Sequence, residues 1–157
     1  MTGLPLLDNS DRACEGCNLG KHHKDSFLAG MSWRATQPLA LVHSDICGPM
    51  ETVSLGGNRY FLTFIDDYSR KTWVYFLKQK SEAVAVFKEF IAYAEKQSGY
   101  TLKVLHTDRG GEYTSNAFFE FCKTQEIKHQ LTTSYSPQQN GIAERKNRTI
   151  IEMARSN

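Results

Sequence analysis

The stretch Arg59-Tyr-Phe-Leu-Thr-Phe-Ile-Asp66, Asp67-Tyr-Ser-Arg70, Lys71-Thr-Trp-Val-Tyr-Phe-Leu77 contains two apolar, aromatic-rich segments joined by four residues. Aromatic and β-branched residues favour strands, and the short connection suits a direct turn between them. Upstream, Leu39–Ile46 has the composition of a mainly buried strand, which Gly48-Pro49 ends. The sequence therefore predicts three consecutive strands in a meander.

Downstream of the meander, helical and strand patterns alternate. Val84, Phe87, Ile91 and Ala94 recur at helical spacing, with Ser81 as the expected cap and Gly99 as the expected stop. The remaining elements are a strand at Leu102–Thr107, a helix capped by Ser115 or Asn116, a strand at Ile127–Thr132 and a last helix that reaches Arg155. The order β-β-β-α-β-α-β-α predicts an α/β fold with a five-stranded mixed sheet flanked by helices.

The composition indicates one domain preceded by an N-terminal segment, divided here into residues 1–35 and 36–157. Of the 157 residues, 40% are hydrophobic and 11% aromatic, which is enough for a core. The net charge of +2 permits a nucleic-acid partner without demanding one. The longest apolar runs fall far short of the ~20 residues that span a bilayer, and we expect no membrane association. Four cysteines and the lack of a secretory signal favour an intracellular, non-secreted protein.

The N-terminal segment carries Cys14-Glu-Gly-Cys17, followed by a basic cluster. Two cysteines at this spacing supply half of a tetrahedral zinc site, which needs two more sulfur or nitrogen donors. His22 and His23 are adjacent, whereas the usual histidine pair is separated by three to five residues. We therefore expect zinc at Cys14 and Cys17 only with ligands from outside this chain. The alternative is a basic leader with incidental thiols.

Three carboxylates stand where a fold of this kind can gather them. Asp45 lies near the end of the first strand, Asp108 ends the fourth, and Glu144 begins the last helix. Carboxylates at about 4 Å repel by ~1 kcal/mol in water and by ~4 kcal/mol at an effective dielectric of about 20. A divalent cation is the usual compensator, and oxygen ligands favour Mg²⁺ or Mn²⁺. Two such ions can clamp the attacking and leaving oxygens of a phosphoryl displacement.

These residues carry a resemblance to a known family. With 62 residues between Asp45 and Asp108 and 35 between Asp108 and Glu144, the spacing resembles the D,D,35-E triad of retroviral and retrotransposon integrases. The segments around them look like the copia-type integrase core, and they are Leu41–Pro49, Phe64–Arg70, His106–Tyr113 and Ser136–Arg148. The resemblance implies a ribonuclease-H-like fold, here expected to be truncated at its C-terminus.

The resemblance also implies a function. Asp45, Asp108 and Glu144 would be the catalytic residues and would hold two Mg²⁺ ions, or Mn²⁺ as a substitute. The reaction would be a polynucleotidyl transfer that joins the 3′ ends of retrotransposon DNA to target DNA. Cys14 and Cys17 look like the end of the family's His-His-Cys-Cys zinc module. The expected partners are double-stranded element and target DNA and, at full length, further copies of the protein. The expected locations are the cytoplasm, in virus-like particles, and the nucleus.

Polar residues around the third carboxylate form a candidate DNA interface. Gln138, Gln139 and Asn140 precede the last helix and suit hydrogen bonds to phosphates or base edges. Lys146, Arg148 and Arg155 add positive charge along the helix, although each also suits a solvated surface. A simpler interpretation of Glu144 is a surface ion pair with Arg148, worth ~0.2–0.5 kcal/mol.

Other residues near the triad have structural alternatives. Asp66 and Asp67 are rivals for the metal, but their position between two strands favours turn chemistry. Glu112 follows two glycines and is interpreted as a loop carboxylate. His43 and His106 lie two residues before a triad aspartate and either support it or pack within the strands. Cys47 and Cys122 are interpreted as packed free thiols.

Two other functions remain open from the sequence. One is a catalytically incompetent nucleic-acid-binding fragment of such an element, since the chain ends 13 residues after Glu144. The other is a ribonuclease-H-type nuclease, which would share the fold and the metals. The Ser136–Gly141 loop and the 35-residue spacing argue against the nuclease.

Overall fold

The computed structural model describes residues 34–132 and 141–156, which form a five-stranded mixed sheet and three α-helices. The elements are β1 Leu41–Cys47, β2 Tyr60–Asp66, β3 Thr72–Leu77, α1 Ala83–Ser98, β4 Val104–Thr107, α2 Asn116–Thr124, β5 Lys128–Leu131 and α3 Gly141–Arg155. The strand order is β3-β2-β1-β4-β5, with β1, β2 and β3 antiparallel and β1, β4 and β5 parallel. The predicted order of elements and the mixed sheet are confirmed.

The strands are shorter at their beginnings than the sequence predicts. β1 begins at Leu41 because Leu39 has a φ of 59°, which no strand residue adopts. The Leu39 amide instead donates to Asp66 Oδ1 at 2.9 Å. β4 begins at Val104 because the Leu102 amide donates to a side-chain oxygen of Glu95 rather than to a strand. Both positions were predicted from apolar composition, which does not report backbone dihedrals.

The predicted start of the first helix is wrong in detail. Ser81 lies inside a short 3₁₀ turn, Lys80–Glu82, which precedes α1 and begins after Gln79. The Glu82 carboxylate accepts the Lys78 amide at 2.7 Å and the Gln79 amide at 3.0 Å, so an acidic side chain satisfies these donors. The end is as expected, because Gly99 adopts a left-handed φ of 74° and closes the helix onto Glu95.

The main core lies between one face of the sheet and the helices α1 and α2. Phe64 of β2 stacks on Phe90 of α1 with ring centroids 4.1 Å apart. Phe87 contacts Phe64 and also Phe118 of α2, whose N-cap is Ser115. The Ser115 hydroxyl accepts the Phe118 amide at 3.2 Å, which confirms one of the two predicted caps. Aromatic burial thus fixes α1 and α2 on a single face.

The third helix covers the opposite face. Side chains alternate along β2, so Thr63 points away from the face on which Leu62 and Phe64 meet α1. Thr63 contacts Asn147 of α3, which places α3 on the second face over β1 and β2. Within residues 34–132 and 141–156, no helix combines the length and apolar character needed to cross a membrane.

Candidate active site

Two of the three predicted carboxylates lie at the ends of neighbouring parallel strands. β1 and β4 are paired with His43 opposite His106. Continuing that register by two residues brings Asp45 of β1 level with Asp108, which directly follows β4. Adjacent strands are about 4.8 Å apart, so the two residues meet at one edge of the sheet. The 62 residues between them in sequence include β2, β3, α1 and β4.

The third carboxylate lies above the same end of β1. Glu144 is exposed on the first turn of α3, the helix that covers β1 and β2. A groove of about 520 Å³ runs between α3 and the end of β1. Its lining includes Asp45, Ile46, Cys47, Gly48, Glu144, Asn147, Arg148, Ile151, Glu152 and Arg155. Asp45 and Glu144 therefore share one groove, and Asp108 stands beside it at the end of β4.

The carboxylates interact electrostatically. Burial, together with the negative charge of Asp108 and a smaller effect of Glu144, raises the pKa of Asp45 from 3.8 to about 6. The hydrogen bond from Asn147 opposes this rise. Ionisation of Asp45 therefore costs more free energy here than in water, and added positive charge would lower that cost.

The residues fit a divalent cation by their chemistry. Carboxylate oxygens are the ligands that Mg²⁺ and Mn²⁺ prefer, and an added cation would relieve the repulsion at Asp45. In the described ranges, however, no three His, Cys, Asp or Glu side chains are close enough to form a ready-made metal site. Asp108 and Glu144 are near enough to affect Asp45, although the three carboxylates form no closed ligand set in this part of the chain.

Two residues that the sequence interpretation missed support the site. The Asn147 side-chain amide donates to Asp45 Oδ2 at 2.6 Å, and Thr63 Oγ1 donates to Asn147 Oδ1 at 2.9 Å. Thr63 is the strand partner of Asp45 in β2. A threonine inside an otherwise apolar strand and an asparagine three residues after Glu144 were the available signals.

The basic residues of α3 differ in their relation to the groove. Arg148 and Arg155 line it, whereas Lys146 is exposed and does not. Glu144 and Arg148 are both described, and no ion pair joins them, so the surface-pair interpretation is not supported. Arg148 and Arg155 therefore bring positive charge to a groove that Glu144 and Glu152 also line.

Asp66 and Asp67, the rivals for the metal, are engaged in structural bonds. Asp66 Oδ2 accepts the Ser69 amide and hydroxyl at 2.9 and 2.6 Å. Asp67 accepts the Ala35 amide at 2.8 Å and pairs with Arg70 at 3.3 Å. Asp66 lies opposite Val42, toward the start of β1 and away from Asp45. Turn chemistry is confirmed for Asp66, whereas Asp67 binds the backbone of a segment distant in sequence and so has a structural role of a different kind.

The remaining polar candidates also have protein partners. His43 Nδ1 lies 3.3 Å from His106 Nδ1, and His43 Nε2 lies 3.3 Å from Asp67 Oδ1. Burial lowers the pKa of both histidines, so the pair is neutral and packed between strands at neutral pH. Glu112 pairs with Lys80 at 3.6 Å, as expected of a loop carboxylate.

Two predicted thiols lie in the described part of the chain, and five other predicted site residues lie outside it. Cys47 and Cys122 are free thiols, as predicted, and Cys122 is buried in the main core. The zinc half-site at Cys14 and Cys17 lies outside the described residues, as do the loop residues Gln138, Gln139 and Asn140. Their predicted roles stay predictions.

The fold and the groove define a class of protein. A mixed sheet in the order β3-β2-β1-β4-β5, with carboxylates at the ends of β1 and β4 and on the covering helix, is a ribonuclease-H-like α/β fold with an acidic groove. A chain of the simian T-cell lymphotropic virus intasome, solved by cryo-EM with the PP2A regulatory subunit B56 gamma, has the same fold. The TM-score is 0.62 at 23% identity, over 73% of this chain and 39% of that one.

The sequence then gives the family. The integrase core domain profile matches residues 35–137, so the chain belongs to the integrase core domain family. It is 52% identical over 145 residues to the retrovirus-related Pol polyprotein of transposon TNT 1-94 from Nicotiana tabacum. It is also 32% identical over 152 residues to that of transposon RE2 from Arabidopsis thaliana. These alignments cover 92% and 96% of this chain but only 11% and 10% of the polyproteins. The resemblance to copia-type elements is confirmed.

Proposed function

We propose that this chain is the catalytic core of an integrase that joins the 3′ ends of retrotransposon DNA to target DNA. The observation that carries the proposal is the meeting of Asp45 and Glu144 in one groove, with Asp108 on the neighbouring strand end. The elevated pKa of Asp45 supports a site that functions with a bound cation. Membership of the integrase core family supports the same reaction class.

The carboxylates would act as ligands. Asp45, Asp108 and Glu144 would hold two Mg²⁺ ions, or Mn²⁺, through their oxygens. When bound, the ions would supply activation of the attacking hydroxyl and stabilisation of charge on the leaving 3′-oxygen. Glu144 is exposed on the first turn of α3, where substrate and ions can reach it. Asp45 is partly buried at the groove's floor, where its position is set by the strand and by Asn147.

The groove suits one strand of DNA. Arg148 and Arg155 are seven residues apart, about two turns and ~10 Å along α3, and both line the groove. Guanidinium groups in such a row bind successive phosphates and keep the backbone against the carboxylates. In this arrangement Gln138, Gln139 and Asn140 would contact DNA from the segment just before α3, and Lys146 would contribute from outside the groove.

The test is Mg²⁺-dependent strand transfer and disintegration of a branched oligonucleotide. Asp45→Asn, Asp108→Asn and Glu144→Gln should each abolish joining while DNA binding remains. Glu120→Gln, an exposed carboxylate on α2, is the matched control and should retain activity. Joining at the normal rate by Asp45→Asn would refute the assignment. DNA binding without turnover in the unmodified chain would favour the incompetent fragment, and cleavage of an RNA–DNA hybrid without joining would favour a nuclease.

For the longer protein we propose three further features. Residues 1–35 would complete a zinc module with histidines from a preceding segment, with Cys14 and Cys17 as two of the ligands. The integrase would act on DNA as a homo-oligomer, since the matching chain comes from an intasome. The protein would move from cytoplasmic virus-like particles to the nucleus. Zinc analysis of a longer chain, with Cys14→Ser as the comparison, tests the first of these.

A further inference from the structure

A buried polar network links α3 to two strands of the sheet. Thr63 Oγ1 of β2 donates to Asn147 Oδ1 of α3 at 2.9 Å, and Asn147 Nδ2 donates to Asp45 Oδ2 of β1 at 2.6 Å. Thr63 is 0% exposed and Asn147 is 5% exposed. Because water cannot replace a lost partner at such burial, each of these bonds constrains its neighbours strongly.

The network carries much of the attachment of α3. In the described part of α3, the buried residues are Ala143 and Asn147. By contrast, α1 buries five apolar side chains, two of them phenylalanines. Three isoleucines of α3 are half-buried, namely Ile142, Ile150 and Ile151, but the helix fully buries only one methyl group and one amide, so apolar contact holds it less firmly than α1. Its position on the sheet therefore depends on the bonds of Asn147 as well as on this contact.

The carboxylate fixes the orientation of the Asn147 amide. An ionised carboxylate only accepts hydrogen bonds, so the NH₂ group must face Asp45. The amide oxygen then faces Thr63, which satisfies it by donating its hydroxyl proton. The Thr63 hydroxyl is therefore the group that holds the amide in the orientation that Asp45 requires.

The Asn147 amide also connects the position of Asp45 to that of Glu144. Asn147 follows Glu144 by three residues, and residues at this spacing are neighbours on a helix surface. Asn147 binds Asp45 directly, so the bond that orients Asp45 also sets the position of the helical turn that carries Glu144.

We propose that Asn147, oriented by Thr63, is a positioning residue that aligns the Asp45 carboxylate with the helical turn bearing Glu144. Its catalytic consequence rests on the proposed function. Neither residue needs to touch DNA or metal. Asn147 engages Oδ2 of Asp45, and this bond sets the distance between the Asp45 carboxylate and the helical turn of Glu144.

The test compares Thr63→Val, which removes the hydroxyl at nearly constant volume, with Thr63→Ser, which keeps it. Thr63→Val should lower the single-turnover strand-transfer rate by about tenfold and raise the Mg²⁺ concentration for half-maximal rate, as loss of a supporting bond does at metal sites. The Kd for DNA should change by less than about twofold, because the groove's arginines are untouched. Thr63→Ser should restore both rate and Mg²⁺ requirement.

A double-variant cycle tests whether the two residues act as one unit. Asn147→Ala should lower the rate at least as much as Thr63→Val, and the double variant should be no slower than Asn147→Ala alone. Additive losses, or a Thr63→Val protein with unchanged rate and Mg²⁺ requirement, would overturn the proposal. Equal losses in Thr63→Ser and Thr63→Val would overturn it as well, since they would indicate general repacking.

Hydrogen exchange provides a readout that does not require activity. In the 157-residue chain, amides of α3 should exchange about tenfold faster in Thr63→Val than in Thr63→Ser, while those of β1 and β2 stay protected. Adding Mg²⁺ alone should slow α3 exchange in the unmodified protein more than in Thr63→Val. If the unmodified chain joins no DNA, the proposed function fails, yet α3 exchange still decides the positioning role. Unchanged α3 exchange in Thr63→Val would refute it.

Discussion

Asp45→Asn should inactivate the protein and stabilise its fold. Burial and the neighbouring carboxylates raise the pKa of Asp45 from 3.8 to about 6. At about 1.4 kcal/mol per pKa unit, that difference corresponds to roughly 3 kcal/mol. Since the folded-state pKa is the higher one, the folded protein binds this proton more tightly than the unfolded chain does. The charged carboxylate therefore destabilises the fold at neutral pH.

The free energy of unfolding should fall with rising pH over the range in which Asp45 ionises in the unfolded chain but not in the folded protein. Below about pH 3.8 the carboxyl is protonated in both states and has no differential effect. Between pH 3.8 and about 6 the free energy of unfolding falls as pH rises, and above about 6 the loss is complete. Asparagine keeps an oxygen that can accept the Asn147 amide without the charge. Asp45→Asn should thus raise the free energy of unfolding by about 2–3 kcal/mol at pH 7.5 and by little at pH 4.

Urea denaturation followed by circular dichroism measures this difference. Glu120→Gln is the control for removing an exposed carboxylate and should change stability by less than about 0.5 kcal/mol at either pH. Mg²⁺ should stabilise the unmodified protein and have a smaller effect on Asp45→Asn, because the cation relieves the same repulsion. Equal stabilities of variant and unmodified protein at pH 7.5, or a gain that persists at pH 4, would refute the electrostatic reasoning.

Three further predictions concern the groove, the loop after β4 and the core. Arg148→Ala should weaken DNA binding and lower the slope of log Kd against log salt concentration by about 1, the value for one lost phosphate contact. Lys146→Ala, outside the groove, should change both quantities less. Fluorescence anisotropy across a salt series measures the affinity and the slope. A Cβ added at Gly110 would lie 2.5 Å from a carboxylate oxygen of the same loop and 3.1 Å from Asp108, whereas one at Gly111 meets nothing within 4 Å. Gly110→Ala should therefore reduce strand transfer severalfold more than Gly111→Ala in the same assay, and equal rates would contradict this role of the loop. Phe90→Ala should cost ~3–5 kcal/mol in urea denaturation because the ring stacks in the core, and Phe90→Leu should cost clearly less.

The order of elements was readable from the sequence because it depends on local composition. The apolar, aromatic segments of β2 and β3 and the helical spacing of Phe87, Ile91 and Ala94 each report burial on one face. Gly99 was recognised as a helix end because few residues other than glycine adopt its φ of 74°. The beginnings of strands were less accurate, since apolar Leu39 is buried in a turn rather than in β1.

The helix start shows the limit of capping rules. Serine is a common cap, but at this position the Glu82 carboxylate satisfies the backbone donors instead. Which of several neighbouring polar side chains caps a helix depends on the direction in which the backbone leaves the preceding strand. That path is set by tertiary contacts, and the sequence pattern does not contain it.

The sequence by itself determined the family, the strand order along the chain and the candidate triad, because motif spacing and local periodicity are properties of the linear chain. The tertiary structure alone decided how the groove is built. It placed Asn147 beside Asp45, 102 residues away, and beside Thr63, 84 residues away. It also assigned Asp66 and Asp67 to structural bonds and divided the basic residues of α3 between groove and solvent. A hydrogen bond between distant residues depends on strand register and helix docking, which only the folded chain defines.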